Sequence, residues 1–223
     1  EQSMDFVIRG DFAWSAGRNE LRTLRDGWLV STGGTTRGVF ETLPEQFRGL
    51  PCLDYRGKLI IPGMVDLHIH APQYAFRGMH MDEELLDWLK KYTFIEEGKY
   101  DDPEYAHYAY SMFAEEMKKS ATTRASIFGT MHRGATVILM DEMEKTGLVT
   151  YVGKVNMDVN SPDYLCETVK SSLHDTEEFL SYFDKDSSVR PILTPRFAPT
   201  CSAELLKGLG KLGARYSVGT QTH

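Results

Sequence analysis

The stretch Leu59-Ile-Ile-Pro-Gly-Met-Val-Asp-Leu-His-Ile-His70 is an apolar run that is interrupted at Pro62-Gly63 and ends in two histidines two residues apart. Alternate side chains of a β-strand point to the same face of the sheet. We therefore expect one strand over 59–70, with Asp66, His68 and His70 on a common face. Two imidazoles at the end of a buried strand can form half of a metal site. The same spacing also arises by chance on exposed strand ends or within a core.

Strands and helices alternate along the rest of the chain. Apolar runs bounded by turn residues predict strands over 122–130, 148–157, 189–193 and 216–222. Apolar residues at helical spacing predict helices over 85–89, 103–117, 135–146, 172–183 and 203–212, with Asp82 and Asp102 as candidate N-caps. Such alternation is typical of a parallel sheet with helices outside it. No G-x-G-x-x-G follows a strand, which disfavours a dinucleotide-binding fold.

The first part of the chain has a different pattern. Short β-like runs over 6–8, 28–30 and 37–40 are separated by Gly, Ser, Thr and Asn. They predict a small antiparallel, β-sandwich-like unit. We therefore expect two domains, over residues 1–58 and 59–223.

Composition limits the range of partners and compartments. The 223 residues are 41% hydrophobic and 26% charged with a net charge of -7, as in an ordinary soluble globular protein. Lys and Arg are scattered, which argues against nucleic acid or an anionic membrane as the main partner. No apolar stretch approaches the roughly 20 residues of a membrane helix. The N-terminus lacks a signal region, and Cys52, Cys166 and Cys201 form no C-x-x-C pair. We read them as reduced thiols of a cytoplasmic protein.

The polar candidates for chemistry fall at the predicted strand ends. In a (β/α)8 barrel the active-site groups lie at the carboxyl ends of the strands. His68 and His70 end the first strand, Arg196 follows the fourth and His223 ends the fifth. This placement strengthens the metal-site interpretation. Cytidine-type zinc chemistry is excluded, because Pro51-Cys52 is not followed by the second cysteine of P-C-x-x-C.

With these residues in view, the chain resembles the metal-dependent amidohydrolases, and within them the guanine deaminases. Five stretches in the order of that family carry the resemblance, from about Leu59 to the last residue. They are Pro62-Gly-Met-Val-Asp-Leu-His-Ile-His-Ala-Pro-Gln73, Leu85-Leu-Asp-Trp-Leu-Lys-Lys-Tyr-Thr-Phe94, Gly153-Lys-Val-Asn-Met-Asp158, Thr194-Pro-Arg-Phe-Ala-Pro-Thr200 and Gln221-Thr-His223. The first identifies only the superfamily, whereas H-x-H-x-x-Q together with T-P-R-F-A-P-T is more specific.

The resemblance implies an α/β (β/α)8 barrel of the TIM type, of which about the first half is present, truncated after the fifth strand. It implies a zinc ion bound by His68, His70 and His223, and hydrolysis of guanine to xanthine and ammonia. It assigns substrate binding to Gln73, Arg196 and Phe197. It places the proton-shuttling glutamate three residues after the histidine that matches His223, so no catalytic acid–base residue is expected among these 223 residues.

Three interpretations stay open at this point. The first is a zinc hydrolase that acts on guanine. The second is a sister amidohydrolase acting on another heterocyclic amine or halide, and the third is a binding module or fragment without turnover. The sequence does not fix the oligomeric state and leaves a homodimer open. Trp88 fits core packing better than a pocket wall, and the remaining histidines are interpreted as ordinary polar residues: His80, His107, His132 and His174.

Overall fold

The computed structural model describes residues 5–182 and 186–223, and it divides the chain into two compact units, Glu1–Gly63 and Met64–His223. The division falls inside the stretch that the sequence predicted as one strand. That prediction was wrong, because β4 ends at Ile60 and β5 begins at Met64. Proline has no N–H to donate to a sheet, so Pro62 ends the ladder.

The first unit forms one four-stranded sheet from its described residues, where the sequence suggested a sandwich-like unit. Its strands are β1 (Phe6–Gly17), β2 (Glu20–Thr32), β3 (Thr35–Phe40) and β4 (Cys52–Ile60). The strand order is β3-β2-β1-β4. The β1–β2 and β2–β3 pairs are antiparallel as predicted, whereas β4 lies parallel to β1.

The second unit alternates strands and helices, which confirms the predicted pattern. Its strands are β5 (Met64–His70), β6 (Thr122–Phe128), β7 (Val149–Gly153), β8 (Val155–Asn156), β9 (Val189–Pro191) and β10 (Thr194–Pro195). Its helices are α1 (Leu85–Trp88), α2 (Phe94–Gly98), α3 (Pro103–Lys119), α4 (Arg133–Glu144), α5 (Val169–Tyr182) and α6 (Ala203–Tyr216), with a π-helical turn over Leu89–Thr93. Residue 183, where one predicted helix ended, lies outside the described residues.

All strand pairs of the second unit are parallel. The main sheet has the order β5-β6-β7-β9, and β8 pairs with β10. Helix α3 begins as predicted, since the carboxylate of Asp102 accepts a hydrogen bond from the Glu104 N–H at 2.9 Å. The core between the sheet and the α3 and α4 helices contains Tyr110 and Phe113, which are at most 2% exposed. A buried aromatic ring of this kind contributes roughly 1.5–3 kcal/mol through apolar burial.

Three predicted elements differ from the structure. Helix α6 continues to Tyr216 and ends at Ser217 in the left-handed conformation, so 216–222 is no strand and retains only an isolated bridge between Leu193 and Thr220. The run 148–157 is divided between β7 and β8 at Lys154, whose buried ammonium turns to Glu167. Helix α1 is preceded by Glu84 without a side-chain cap, so Asp82 does not cap it.

Two further sequence predictions can be compared with the structure. All three cysteines are free thiols, as expected. Among the described residues, no helix combines the length and the apolar character needed to cross a bilayer.

Candidate active site

Three histidines from distant parts of the chain converge in the second unit. His68 and His70 lie at the carboxyl end of β5, and His223 lies in the segment after α6. One ligand nitrogen of each ring lies within 4.8 Å of the others. The Nε2 atoms of His70 and His223 are 2.9 Å apart. All three rings contact the ring of Phe128 on β6, with centroid distances of 4.5–4.9 Å.

Gln221 holds the segment that carries His223. Its side-chain Oε1 accepts a hydrogen bond from Ser126 Oγ at 2.7 Å, and its Nε2 donates to the Ile127 carbonyl at 3.1 Å and to Thr194 Oγ1 at 3.0 Å. Its backbone N–H donates to the Leu193 carbonyl at 2.9 Å. These bonds tie the segment to β6 and β10 without the regular strand that the sequence predicted.

The backbone of Arg196 sets the orientation of the His223 ring. His223 Nδ1 lies 2.5 Å from the Arg196 carbonyl oxygen. A carbonyl oxygen can only accept, so Nδ1 carries the proton and Nε2 keeps its lone pair. Burial lowers the pKa of His223 and outweighs the hydrogen bond to the Arg196 carbonyl, which acts in the opposite direction. The ring is therefore presented as a neutral nitrogen ligand, with its other nitrogen held by the backbone as is usual for metal-binding histidines.

His70 is more deeply buried than its partners. Burial, and then the positive charge of Arg196, lowers the pKa of its imidazole to about 2. The ring is neutral, and its Nδ1 is buried without a hydrogen-bond partner among the described residues. Its Nε2 faces His223 Nε2, so two nitrogen atoms converge on a single point.

This arrangement fits a divalent metal. Two imidazole nitrogens on a tetrahedral zinc ion, at about 2.0–2.1 Å from the metal, lie roughly 3.3 Å from each other, close to the spacing of His70 and His223. Imidazole nitrogens suit zinc. The three histidines would account for three positions of a tetrahedral zinc ion. A second group with metal-binding spacing, His174, Asp175 and Glu178, lies on the outer face of α5, where two of its members are exposed.

The histidines line a cavity of about 730 Å³. The cavity also contains every other site residue that the sequence singled out. The predicted residues along its wall are His68, His70, Gln73, Arg196, Phe197 and His223. This volume suits a small heterocyclic ligand, since ligand pockets measure about 300–1,000 Å³.

The three substrate-binding candidates reach the cavity from two segments. Gln73 lies in a 3₁₀ helix over Ala71–Phe76, directly after β5. Arg196 and Phe197 directly follow β10. The Phe197 ring is 6.3 Å from the His223 ring at an interplanar angle of 83°. An amide, a guanidinium and an aromatic ring therefore surround the histidine nitrogens.

The sequence did not identify Glu97 as part of this site. Its Oε2 lies 2.5 Å from Arg196 Nη1, and the two side chains are 1% and 3% exposed. Glu97 lies on α2, three residues after the last motif residue, Phe94, whose ring the Arg196 guanidinium covers at 5.1 Å. The only sign of this role in the sequence was that Glu97 is a charged residue on the buried side of a short helix. Its partner Arg196 is 99 residues away and could not be recognised from the sequence.

Two other side chains differ from their predicted surroundings. Trp88 packs beside the cluster of Leu89, Phe94 and Phe128, as expected, but it also lines the cavity. His132 lies outside the cavity, with Nδ1 3.3 Å from Thr130 Oγ1, and burial lowers its pKa.

Comparison with known proteins supports the same family. The amidohydrolase family model matches residues 59–223. The chain is 36% identical to the guanine deaminase of Rattus norvegicus over 237 residues, which cover 100% of this chain and 52% of the rat protein. The chain spans about half the length of the curated relatives it matches. The resemblance inferred from the motifs is confirmed.

Solved structures give the same result for the fold. Guanine deaminase from C. acetobutylicum, with guanine bound in its active site, is 42% identical with a TM-score of 0.94, over 98% of this chain and 52% of that chain. A triazine hydrolase from Arthobacter aurescens is only 19% identical, yet its TM-score is 0.83 over 99% of this chain and 53% of that one. These likenesses confirm the predicted fold class, about half of a TIM-type (β/α)8 barrel.

Proposed function

The chain belongs to the amidohydrolase family, and on that basis we propose that it supplies the zinc ligands and the substrate-reading residues of a guanine deaminase. The reaction is the hydrolytic replacement of the amino group of guanine by oxygen from water, with xanthine and ammonia as products. The observation that carries the proposal is the convergence of His68, His70 and His223 on one wall of a cavity that also contains Gln73, Arg196 and Phe197.

Each cavity residue has a defined task in this proposal. His68, His70 and His223 hold the zinc ion, which when bound supplies Lewis acidity and lowers the pKa of a water molecule to about 7. The Gln73 amide both donates to and accepts from the edge of the purine. The Arg196 guanidinium donates to the purine carbonyl, and the Phe197 ring packs against the purine plane.

The neutral state of the histidines matters for this chemistry. Only an unprotonated imidazole nitrogen can ligate a metal. His70 is kept neutral by burial, and His223 has its proton fixed on Nδ1 by the Arg196 carbonyl. The backbone of Arg196 therefore positions a metal ligand, while its side chain faces the substrate. The transfer of protons is assigned to the glutamate that the family resemblance places three residues after His223, outside these 223 residues.

The metal role is tested by removing one ligand. In the complete protein, which includes the proton-shuttling glutamate, we expect His68→Ala to lose zinc and xanthine formation together, because removal of one of the three histidines strongly weakens zinc binding. The exposed His107, on α3, gives the control His107→Ala, which keeps both. Zinc is measured by elemental analysis of the purified protein. Full zinc content in His68→Ala would contradict the proposal.

The substrate assignment is tested separately. In the complete protein, Arg196→Ala should keep zinc but lower kcat/KM for guanine by at least about 100-fold, since a charge-assisted hydrogen bond contributes about 1.5–3 kcal/mol and the unpaired Glu97 carboxylate adds to the loss. A panel of aminopurines and aminotriazines distinguishes a guanine deaminase from a related amidohydrolase. An unchanged kcat/KM, or a preference for another heterocycle, would count against guanine as the substrate.

A further inference from the structure

The ion pair of Glu97 and Arg196 is almost completely removed from solvent. The Oε2–Nη1 distance is 2.5 Å, and both side chains are at most 3% exposed. Burial of two charges costs more free energy than their attraction returns, unless further hydrogen bonds satisfy the remaining polar atoms. Whether the remaining polar atoms of this pair have hydrogen-bond partners therefore indicates whether the pair serves stability alone.

A second buried ion pair in the same unit provides the comparison. Lys154 Nζ lies 2.6 Å from Glu167 Oε1, and the side chains are 0% and 6% exposed. Glu167 Oε2 accepts hydrogen bonds from Ser172 Oγ at 2.8 Å and from the Met157 N–H at 3.4 Å, so both carboxylate oxygens are used. Glu97 Oε1 is buried without any partner among the described residues. An under-satisfied buried carboxylate needs an explanation beyond stability.

The free donors of Arg196 supply that explanation. Nη1 is occupied by Glu97 and by a contact to Met157 Sδ at 3.9 Å. Within residues 5–182 and 186–223, Nε and Nη2 have no hydrogen-bond partner, and Arg196 lines the cavity. The guanidinium can therefore offer two donors to a ligand while its positive charge is balanced from the side by Glu97.

We propose that Glu97 is a specificity-determining residue, which cancels the charge of Arg196 so that the cavity selects a neutral heterocyclic carbonyl over an anionic ligand. This inference rests on the proposed function in one respect, namely that Arg196 faces the substrate. Without Glu97, an uncompensated guanidinium in a low-dielectric cavity would attract an anion strongly. With Glu97, the same donors recognise a carbonyl oxygen without a net electrostatic preference for negative charge.

The test compares two probes of nearly the same shape, the neutral purine-6-carboxamide and the anionic purine-6-carboxylate. Their dissociation constants are measured from the change in tryptophan fluorescence on binding, since Trp88, one of the three tryptophans of the chain, lines the cavity. Glu97→Gln keeps an oxygen that can accept from Arg196 Nη1 but removes the negative charge. We expect the preference for carboxylate over carboxamide to rise by at least about tenfold in Glu97→Gln relative to the unmodified protein.

Glu167→Gln is the matched control, because it removes the acid of the other buried pair and should leave the preference unchanged.

If Glu97→Gln does not fold, as judged by circular dichroism, the same two dissociation constants are measured for the double variant Glu97→Gln/Arg196→Gln. It lacks both charges, so its preference should equal that of the unmodified protein. A tenfold loss of carboxylate preference in the double variant, or an unchanged preference in folded Glu97→Gln, would overturn the inference. Guanine turnover is measured alongside in the complete protein, which includes the proton-shuttling glutamate. Turnover with an unchanged preference rejects this inference alone, and a shifted preference without turnover rejects the proposed function alone.

Discussion

At the residue scale, the side-chain amide of Gln221 determines where the third histidine lies. Gln221 lies two residues before His223. Its amide forms hydrogen bonds with the Ser126 hydroxyl and the Ile127 carbonyl of β6 and with the Thr194 hydroxyl of β10. No regular strand holds this segment, so the position of the His223 ring depends on these side-chain bonds and on the Arg196 carbonyl. A metal site of this kind is only as rigid as the residues that support its ligands.

We therefore expect Gln221→Met to weaken zinc binding by about 10–100-fold, the usual cost of removing a partner that orients a metal ligand. Methionine has a similar volume but offers neither the amide donor nor the acceptor that Ser126 uses. The affinity is measured by competition with a chelating indicator. Gln46→Met, at an exposed site in the first unit, is the control. Equal zinc affinities for the two variants would mean that Gln221 does not position His223.

Among the described glycines, Gly153 has the closest neighbours around the position of a Cβ atom. A Cβ atom there would lie 1.7 Å from Thr194 Oγ1 and 2.9 Å from Gln221 Nε2. Gly153→Ala should therefore reduce the free energy of unfolding by about 2 kcal/mol or more, since overpacking costs typically 1–3 kcal/mol. It should also reduce zinc affinity, because both neighbours belong to the network that holds His223.

The control for this prediction is Gly210→Ala on α6, where a Cβ atom would meet nothing within 4 Å. Alanine in a helix is more favourable than glycine by about 0.5–1 kcal/mol, so this variant should be slightly more stable. Unfolding in urea is the measurement for both variants. A stable Gly153→Ala protein would show that Thr194 and Gln221 can move apart without cost.

At the element scale, the sequence predicted the regular elements that are stabilised by their own periodicity. The long helix α3 begins at the predicted Asp102 cap, and strands β6 and β7 occur where apolar runs indicated them. The failures are elements that depend on distant partners. The predicted last strand contains only the Thr220 bridge, and the predicted strand 148–157 is interrupted where Lys154 meets Glu167. Local patterns carry no information about such partners.

The strand β5 lies at one edge of the main sheet of this 223-residue chain, which spans about half the length of the relatives it matches. Within the described residues it is hydrogen-bonded to β6 only, and Val65 and Leu67 are 56% and 77% exposed. Exposed apolar edges of this kind favour association between molecules.

For this 223-residue chain, Leu67→Lys should therefore raise the protein concentration at which self-association begins, because a charged side chain on an edge strand opposes pairing with another chain. Light scattering over a concentration series is the measurement. Tyr108→Lys replaces another large exposed side chain, on α3, and serves as the control for added charge. If both variants delay association equally, net charge rather than the β5 edge is responsible.

At the scale of the whole molecule, the sequence predicted those residues of the candidate site that belong to a recognisable pattern, and it missed the one that does not. The histidines and Arg196 were first noted at predicted strand ends, whereas Gln73 and Phe197 were named only from motifs of a known family, and the structure brings all of them to one cavity. Glu97 was missed because its partner is 99 residues away and the intervening chain gives no sign of the contact. Buried ion pairs between distant segments are properties of the folded chain rather than of any short stretch.

Buried tyrosines make the stability of the whole molecule sensitive to high pH. Burial raises the pKa values of Tyr100 and Tyr110 above the ordinary value of 10.0. Their contribution is fully present below about pH 10 and is lost above it, because the unfolded chain then releases protons that the folded chain retains. The effect of Lys154 on stability has the opposite sign. Burial lowers its pKa, so its contribution to the free energy of unfolding rises with pH and is complete above about pH 10.5.

Above about pH 10.5 we expect the free energy of unfolding to fall by about 1.4 kcal/mol per pH unit for each tyrosine. Urea unfolding between about pH 9 and pH 11 is the measurement. Tyr100→Phe should make the slope shallower by about 1.4 kcal/mol per pH unit, and Tyr108→Phe, at a 65% exposed position, should leave it unchanged. A slope that is the same in all three proteins would show that these tyrosines ionise without unfolding the chain.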